Sequence, residues 1–426
     1  MNRASILALL GLLAAVPHNA AALEKKTSRR GDVESEDVDE DSVTGKRPPP
    51  LTTPGVSVVG EQEVAAMAER PYKNLTYIGA GMLGLEPAFV DDARQGLELI
   101  YQRNYKAAKE HFDRMTTQYP TQAVGPVGNG LLWQALMLEN FDFKYEAQWQ
   151  TSFKLAKDRL DAALDVPGEE AWEYFLLGGV LGIEAIHATR KGDFVPALTR
   201  GYEALRTLGK TRDAAPDFPD LLLGDGLYSY WRSVVTLNSS LLPDFGDKRA
   251  EGIAQMQKAE VESIFVGPPT TLALTFTFIE ERDLKRALGS ALQSRRAYPD
   301  NVINNLVTAR IYTYMRHYDK AEEVLKEILE DAPTNERSHF YLSSVYSRTR
   351  RLDEAIAEMD RYLSFDLMPT YRGQALYRQG GYWYRKKDYA KAYALFQQSY
   401  DVAKQKSAKR RLEAMEKLRK EGKISF

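Results

Sequence analysis

The chain has 426 residues, 44% of them hydrophobic and 27% charged, with a formal net charge of −2. So even a balance argues against general nucleic-acid binding, which needs a basic footprint, and the length suffices for one long helical array or two to three compact domains. The lack of any cysteine excludes disulfides, thiolate metal sites, a cysteine nucleophile and a lipidated amino-terminal cysteine.

The first expected element is an export signal over residues 1–22. Arg3 supplies a positive start, Ile6 to Val16 is an unbroken apolar run, and Ala20-Ala21-Ala22 offers small residues for cleavage. That run is too short for a bilayer, which takes about 20 residues. An uncleaved anchor or a buried helix is the competing reading. No later segment reads as transmembrane, so no integral membrane segment is expected after cleavage. Without lipidation the expected location is a bacterial periplasm, with secretion as the alternative. Residues 23–60 read as a disordered linker, with an acidic run from Glu34 to Asp41 and then Pro48-Pro49-Pro50. Such a composition buries too little apolar surface to offset the entropy of ordering. The run is either a solvated spacer or an acidic bait for a basic partner.

From Glu61 the pattern turns helical, and residues 61–265 are expected to form degenerate helix pairs. Gly79-Ala80-Gly81-Met82-Leu83-Gly84 has the letters of a dinucleotide-binding loop, but that motif needs a preceding strand and a βαβ unit. Pro87 follows within three residues, so a tight glycine-rich connector is expected instead. Asp91 to Tyr119 carries Gly96, Tyr105, Ala108, Phe112 and then Pro120 in a repeat-like order. Further pairs are expected at 125–140 with 145–164, 169–190 with 193–208, and 219–235 with 247–262. Glu184 and His187, at i and i+3, make half of a carboxylate-bridged metal site. No second such pair exists, so a structural histidine is expected. Nucleophile-elbow, phosphate-loop and paired-histidine zinc motifs are missing. Neither catalysis nor a cofactor or metal is therefore expected.

Residues 266–406 carry one recurring unit. Ala287, Ala321 and Ala355 stand 34 residues apart, as do Phe278, Tyr312 and Tyr346, and Pro299 and Pro333. A fourth copy follows after three extra residues, with Trp383 and Ala392 in the equivalent places. Small residues (Thr275, Ala309, Ser343, Gly380) precede each aromatic by three. Small side chains let two antiparallel helices approach closely, the aromatic fills the remaining gap, and proline stops the second helix. Asp283, Tyr318 with Asp319, Leu352 with Asp353, and Asp388 with Tyr389 are expected at the turns. This 34-residue pattern looks like the tetratricopeptide repeat. The resemblance implies an all-α fold, a right-handed α-solenoid of antiparallel helix pairs. About 17 helices and no convincing strand are expected. Residues 407–426 read as a basic capping helix and tail, with contact to anionic lipid or an acidic partner as the minority alternative.

A second resemblance rests on Phe218-Pro219-Asp220, Gly224-Asp225-Gly226-Leu227-Tyr228, Tyr230, Gly246-Asp247-Lys248-Arg249 and Gly252. These are similar to a family of bacterial envelope-associated repeat proteins, and distantly to repeat proteins of the mitochondrial outer membrane. It implies a scaffold or adaptor and transfers no catalytic residue. The tetratricopeptide resemblance further implies a peptide groove lined by the first helix of each pair. Its positions fall on Leu272, Phe276, Leu306, Arg310, Tyr314, Phe340, Ser344, Arg348, Tyr377, Tyr384 and Arg385. Aromatics interleaved with arginines suit an extended peptide bearing acidic or proline residues; about half of the aromatics are expected between repeats. Repeats that clamp a terminal carboxylate use Lys and Asn where this chain has Leu306 with Arg310 and Phe340 with Ser344, so that activity is not carried over. The expected function is a non-enzymatic scaffold for a protein partner in a cell-envelope complex. The alternative is an enzyme, or a regulatory subunit of one, with its site in the central pairs.

Overall fold

The computed structural model describes residues 51, 60–72, 78–166, 170–237 and 246–426. The expected signal and nearly all of the expected linker lie outside them. The described residues form 19 helices, more than the expected 17 or so. The glycine-rich stretch, expected as a connector, contributes a one-turn helix at Ile78–Met82, closed by Gly84 at φ 67°. No described helix is long and apolar enough to cross a membrane.

The chain packs as two compact units. The first holds residues up to Ala135 and Tyr145–Asn301. Its helices are α1 (Glu61–Ala68), α2 (Ile78–Met82), α3 (Pro87–Tyr101), α4 (Tyr105–Gln118) and most of α5 (Val124–Asn140), then α6 (Glu146–Leu164) and α7 (Ala171–Lys191). It continues with α8 (Phe194–Ala214), α9 (Leu221–Leu237), α10 (Arg249–Glu262), α11 (Gly267–Glu280) and α12 (Leu284–Ala297). The second unit holds residues 136–144 and 302–426. Its helices are α13 (Val302–Tyr314), α14 (Tyr318–Asp331), α15 (Glu336–Arg348), α16 (Leu352–Leu363), α17 (Pro369–Arg385), α18 (Tyr389–Ala403) and α19 (Lys406–Lys420). The regular stretch 266–406 runs through both, its first pair lying in the first unit.

Helices pack in consecutive pairs: α7 with α8, α9 with α10, α11 with α12, α13 with α14, α15 with α16 and α17 with α18. The turn inside each of the pairs α7–α8, α11–α12, α13–α14, α15–α16 and α17–α18 is a Schellman motif. In α11–α12 the Asp283 amide donates to the Phe278 carbonyl and the Arg282 amide to that of Ile279. Tyr312, Tyr346 and Trp383 accept in the same way from His317, Arg351 and Asp388. The periodic aromatic thus also marks where its helix ends. The residue this motif puts in the left-handed region is Arg282, Arg316, Arg350 or Lys387, at φ from 58° to 65°, with Gly192 in the equivalent place of α7–α8. Left-handed backbone costs a residue with a Cβ about 1–2 kcal/mol, which the paired carbonyls offset. Tyr318, Asp319, Leu352, Asp353 and Tyr389, expected at turns, instead open the second helices. Asp283 and Asp388 both close the turn and cap the next helix, accepting from the Arg286 and Lys391 amides.

Four helices, α4, α8, α12 and α14, end where proline dictates. Tyr119, Ala215, Tyr298 and Ala332 each precede a proline and each have ψ of 71–74°, because the proline ring disfavours helical backbone before it. At the crossings Ala287, Ala321, Ala355 and Ala392 have no accessible surface, and Thr275, Ala309, Ser343 and Gly380 are buried with them.

In the first unit Gly226 of α9 and Gly252 of α10 bring two backbones together. A Cβ on Gly252 would lie 2.5 Å from the Gly226 carbonyl oxygen, and one on Gly226 would lie 2.6 Å from that of Gly252. One turn on, buried Tyr230 donates to a Glu281 carboxylate oxygen at 2.8 Å. Arg249, 1% exposed, reaches Glu281 at 2.9 Å and Asp247 at 2.7 Å. Asp220 is buried and accepts the backbone amides of Ile264, Phe265 and Val266 at 2.7–3.1 Å. Burial nevertheless pushes its carboxyl up to about 6. The residues of the second resemblance are therefore architectural: they join helices and fix the α10–α11 connection.

In the second unit the core gathers Ala321, Leu325, Tyr346, Met359 and Tyr362. Residues 136–144 close one side of it. Asn335 caps α15 through the Ser338 amide and donates to the Glu139 carbonyl and Asn140 side chain. Lys144 pairs with Glu336 at 3.1 Å. At the other end Leu412 and Met415 of α19 pack with Ala392 and Phe396 of α18, and Phe426 stacks on Tyr393.

Candidate protein-interaction face

On α15 the residues Arg337, Tyr341, Ser344 and Arg348 fall at i, i+4, i+7 and i+11, one stripe of a helix. Tyr341 links two first helices: the guanidinium of Arg310 on α13 lies 5.9 Å from its ring and that of Arg337 6.0 Å. Arg310 also covers Tyr314 and donates to its hydroxyl at 3.1 Å. Arg378 of α17 sits 4.8 Å from the Phe340 ring. Arginines and rings therefore alternate across α13, α15 and α17.

Arg337 anchors this row. It is 1% exposed and lies 4.1 Å from Phe141, 4.7 Å from Tyr371 and 5.4 Å from Phe340. One terminal nitrogen donates to the Tyr362 hydroxyl at 3.2 Å, while Nε and the other terminal nitrogen have no hydrogen-bond partner. Among the described residues the aromatic faces, not a carboxylate, hold this charge.

The eleven groove candidates divide between the units. Leu272 and Phe276, on α11, belong to the first and are half-buried. In the second, Leu306 and Phe340 are 3% and 7% exposed and lie in the core, so neither offers a surface to a peptide. Arg310, Tyr314, Ser344, Tyr377 and Tyr384 are half-buried, and Arg348 and Arg385 are exposed. Tyr377 packs on Phe396 and Tyr384 on Tyr389, with Arg411 over the Tyr384 ring at 5.7 Å. Arg385 donates to the Ser347 carbonyl at 3.2 Å and to its hydroxyl. Arg337, Tyr341 and Arg378 were not among the candidates. The helical stripe holds their signal: shifted by one repeat, Arg337 and Tyr341 correspond to Gln374 and Arg378.

Glu184 and His187 turn to different partners. Glu184 pairs with Lys157 and, at 3.3 Å, with Arg200. His187, 4% exposed, stacks on Trp149 at 4.1 Å and meets Glu146 at 3.3 Å. Burial lowers its pKa to about 4. An unfolded histidine titrates near 6.5, so the unfolded chain binds the extra proton between those values. The stability this site contributes is complete above about pH 6.5 and is lost as pH falls towards 4, by about 3 kcal/mol. Unfolding midpoints at pH 7 and 4.5 are expected to show this loss. His187→Gln, which has no such proton to bind, is expected to remove that part of it.

These stacked pairs, with a Schellman turn at each 34-residue step, define a helical-repeat protein. Residues 306–369 match the family model of the tetratricopeptide repeat. Among solved structures the chain is similar to the tetratricopeptide repeat domain of P58(IPK), at 14% identity over 79% of this chain and 99% of that one, with a TM-score of 0.26. That score is too low to establish a common helix arrangement. No curated protein matches the chain.

Proposed function

We propose that this chain is a non-catalytic scaffold whose second unit binds an extended segment of a partner protein, and that it serves a cell-envelope complex in a bacterial periplasm. The observation that carries the binding role is the accessible part of that row, Arg310 with the Tyr314 and Tyr341 rings on α13 and α15, then Arg348, Arg378 and Arg385, while Arg337 and Phe340 are buried. Guanidinium groups favour acidic side chains, and aromatic faces accept proline and other rings. The tetratricopeptide match over 306–369 supports the same reading, since that repeat generally mediates protein–protein contact. The periplasmic part rests on the amino-terminal apolar run alone.

Crosslinking in cells followed by capture of this chain tests the role directly. Recovery of a stable envelope partner supports it; recovery of none, with turnover or a bound cofactor in the pure protein, overturns it. Charge reversal at Arg310 and Arg348 together is expected to weaken an acidic, proline-containing peptide from that partner at least tenfold, the effect of about 1.4 kcal/mol. Equal affinity in wild type and variant would remove the row from the binding site. Intact mass of the exported protein is expected to show cleavage after Ala22, within about two residues; full-length protein in the inner membrane would make the run an anchor.

A further inference from the structure

The first unit carries a half-open pocket of about 410 Å³ between α3, the α10–α11 connection and the carboxy end of α12. Three tyrosines wall it. Tyr298 stacks on Tyr72 at 5.8 Å and leans on Tyr101 at 5.5 Å. Two carboxylates join them: Glu98 accepts the Tyr298 hydroxyl at 2.9 Å, and Glu260, 6% exposed, accepts that of Thr271 at 2.8 Å. Ser263 also lines the pocket. It is 8% exposed and its hydroxyl has no hydrogen-bond partner. The grip of Asp220 on the next three amides holds this side of the pocket in place.

A buried hydroxyl without a partner is costly, and beside a pocket it asks for a ligand group. Ring faces attract cations, most strongly where water is excluded. The charge agrees: Asp91, Glu98 and Glu260 line the space against one guanidinium, Arg94. Arg70 lies 3.6 Å from Glu260 but keeps half of its side chain in water. Leu97, Phe265 and Pro268 add apolar groups to the lining.

We propose that this pocket binds an ammonium ion carried on an alkyl chain, with Tyr72, Tyr101 and Tyr298 around the cation and Glu98, Glu260 and Ser263 accepting its N–H bonds. The site lies in the first unit and stands independently of the peptide-binding role of the second. The cation is either a free amine or a lysine side chain, and two probes separate them. Calorimetric titration of the full chain uses 1,5-diaminopentane in one arm and Nα-acetyl-lysine N-methylamide in the other, with the Nε-acetylated form of the latter as neutral control. Binding of the diamine alone assigns a free amine, and binding of the lysine derivative assigns a side chain; either supports the site. Glu98→Gln and Glu260→Gln, which keep the shape, are each expected to weaken binding at least tenfold, and Ser263→Ala several-fold. Failure of both cations to bind up to about 10 mM, equal binding of the neutral control, or unchanged affinity in folded Glu98→Gln and Ser263→Ala proteins overturns the proposal.

Discussion

Gly252→Val is expected to destabilise the first unit by about 3–5 kcal/mol, beyond the usual cost of overpacking. An inserted methyl usually displaces a neighbouring side chain, which can rotate away. Here the obstacles are main-chain atoms, the Gly226 carbonyl oxygen at 2.5 Å and the Tyr230 amide at 2.8 Å, so α9 and α10 must separate. Separation also pulls Tyr230 from Glu281 and loosens the buried Arg249 pair. Because the two glycines share one contact, Gly226→Ala added to Gly252→Ala should cost less than the sum of the single changes. Gly179→Ala provides the opposite control. Gly179 is an exposed glycine within α7, and a Cβ there meets nothing within 4 Å. Alanine should stabilise by about 0.5–1 kcal/mol through helix propensity. Denaturant midpoints of the four single variants and of the Gly226→Ala, Gly252→Ala double decide it; a Gly252→Val midpoint equal to wild type would refute the backbone contact.

Ala321→Asp should cost the second unit several kcal/mol. Ala321 has no accessible surface and lies in the core with Val324, Leu325 and Tyr346. A carboxylate placed there has no partner, so it either stays charged at a large desolvation cost or takes up a proton. Repeats are held chiefly by their nearest neighbours, so amides of α13 to α16 should lose hydrogen-exchange protection first. Uniform loss of protection throughout the unit would argue against that local coupling. Raising the pH should deepen the damage, because ionising the buried acid is the costly step.

The helix pairs were legible because their physics is local and periodic. Small residues, an aromatic and a proline at fixed intervals need no tertiary information to mean crossing, helix end and stop. The turns were placed a residue or two late in α13–α14 and α15–α16, because His317 and Arg351 stand there without a side-chain cap, where Asp283 and Asp388 supply one in α11–α12 and α17–α18. The candidate face was half legible. Arg310, Arg348 and Arg385 stand on the first helices at the expected register, but Leu306 and Phe340 share that register and are buried. A family position fixes the helix and the turn, but not what the neighbouring helices cover. Arg337 was missed for the converse reason: a lone arginine in a first helical turn reads as solvated. Its burial depends on Phe141, far away in sequence.

That last contact makes the second unit discontinuous. A fragment beginning at Val302 would keep all three of the unit's first helices, α13, α15 and α17, and their arginines. It would nevertheless leave Asn335 without the Glu139 carbonyl, Glu336 without Lys144 and Arg337 without the Phe141 ring. Dissection by terminal truncation would thus uncover a buried cation and report a binding defect unrelated to the partner. Synthesis meets the same gap in time. Residues 136–144 leave the ribosome well before Val302, and at roughly 5–20 residues per second the interval is on the order of ten to thirty seconds. Until then this short segment has its partners unmade, and Phe141 waits as exposed apolar surface for a chaperone or another nascent chain to find.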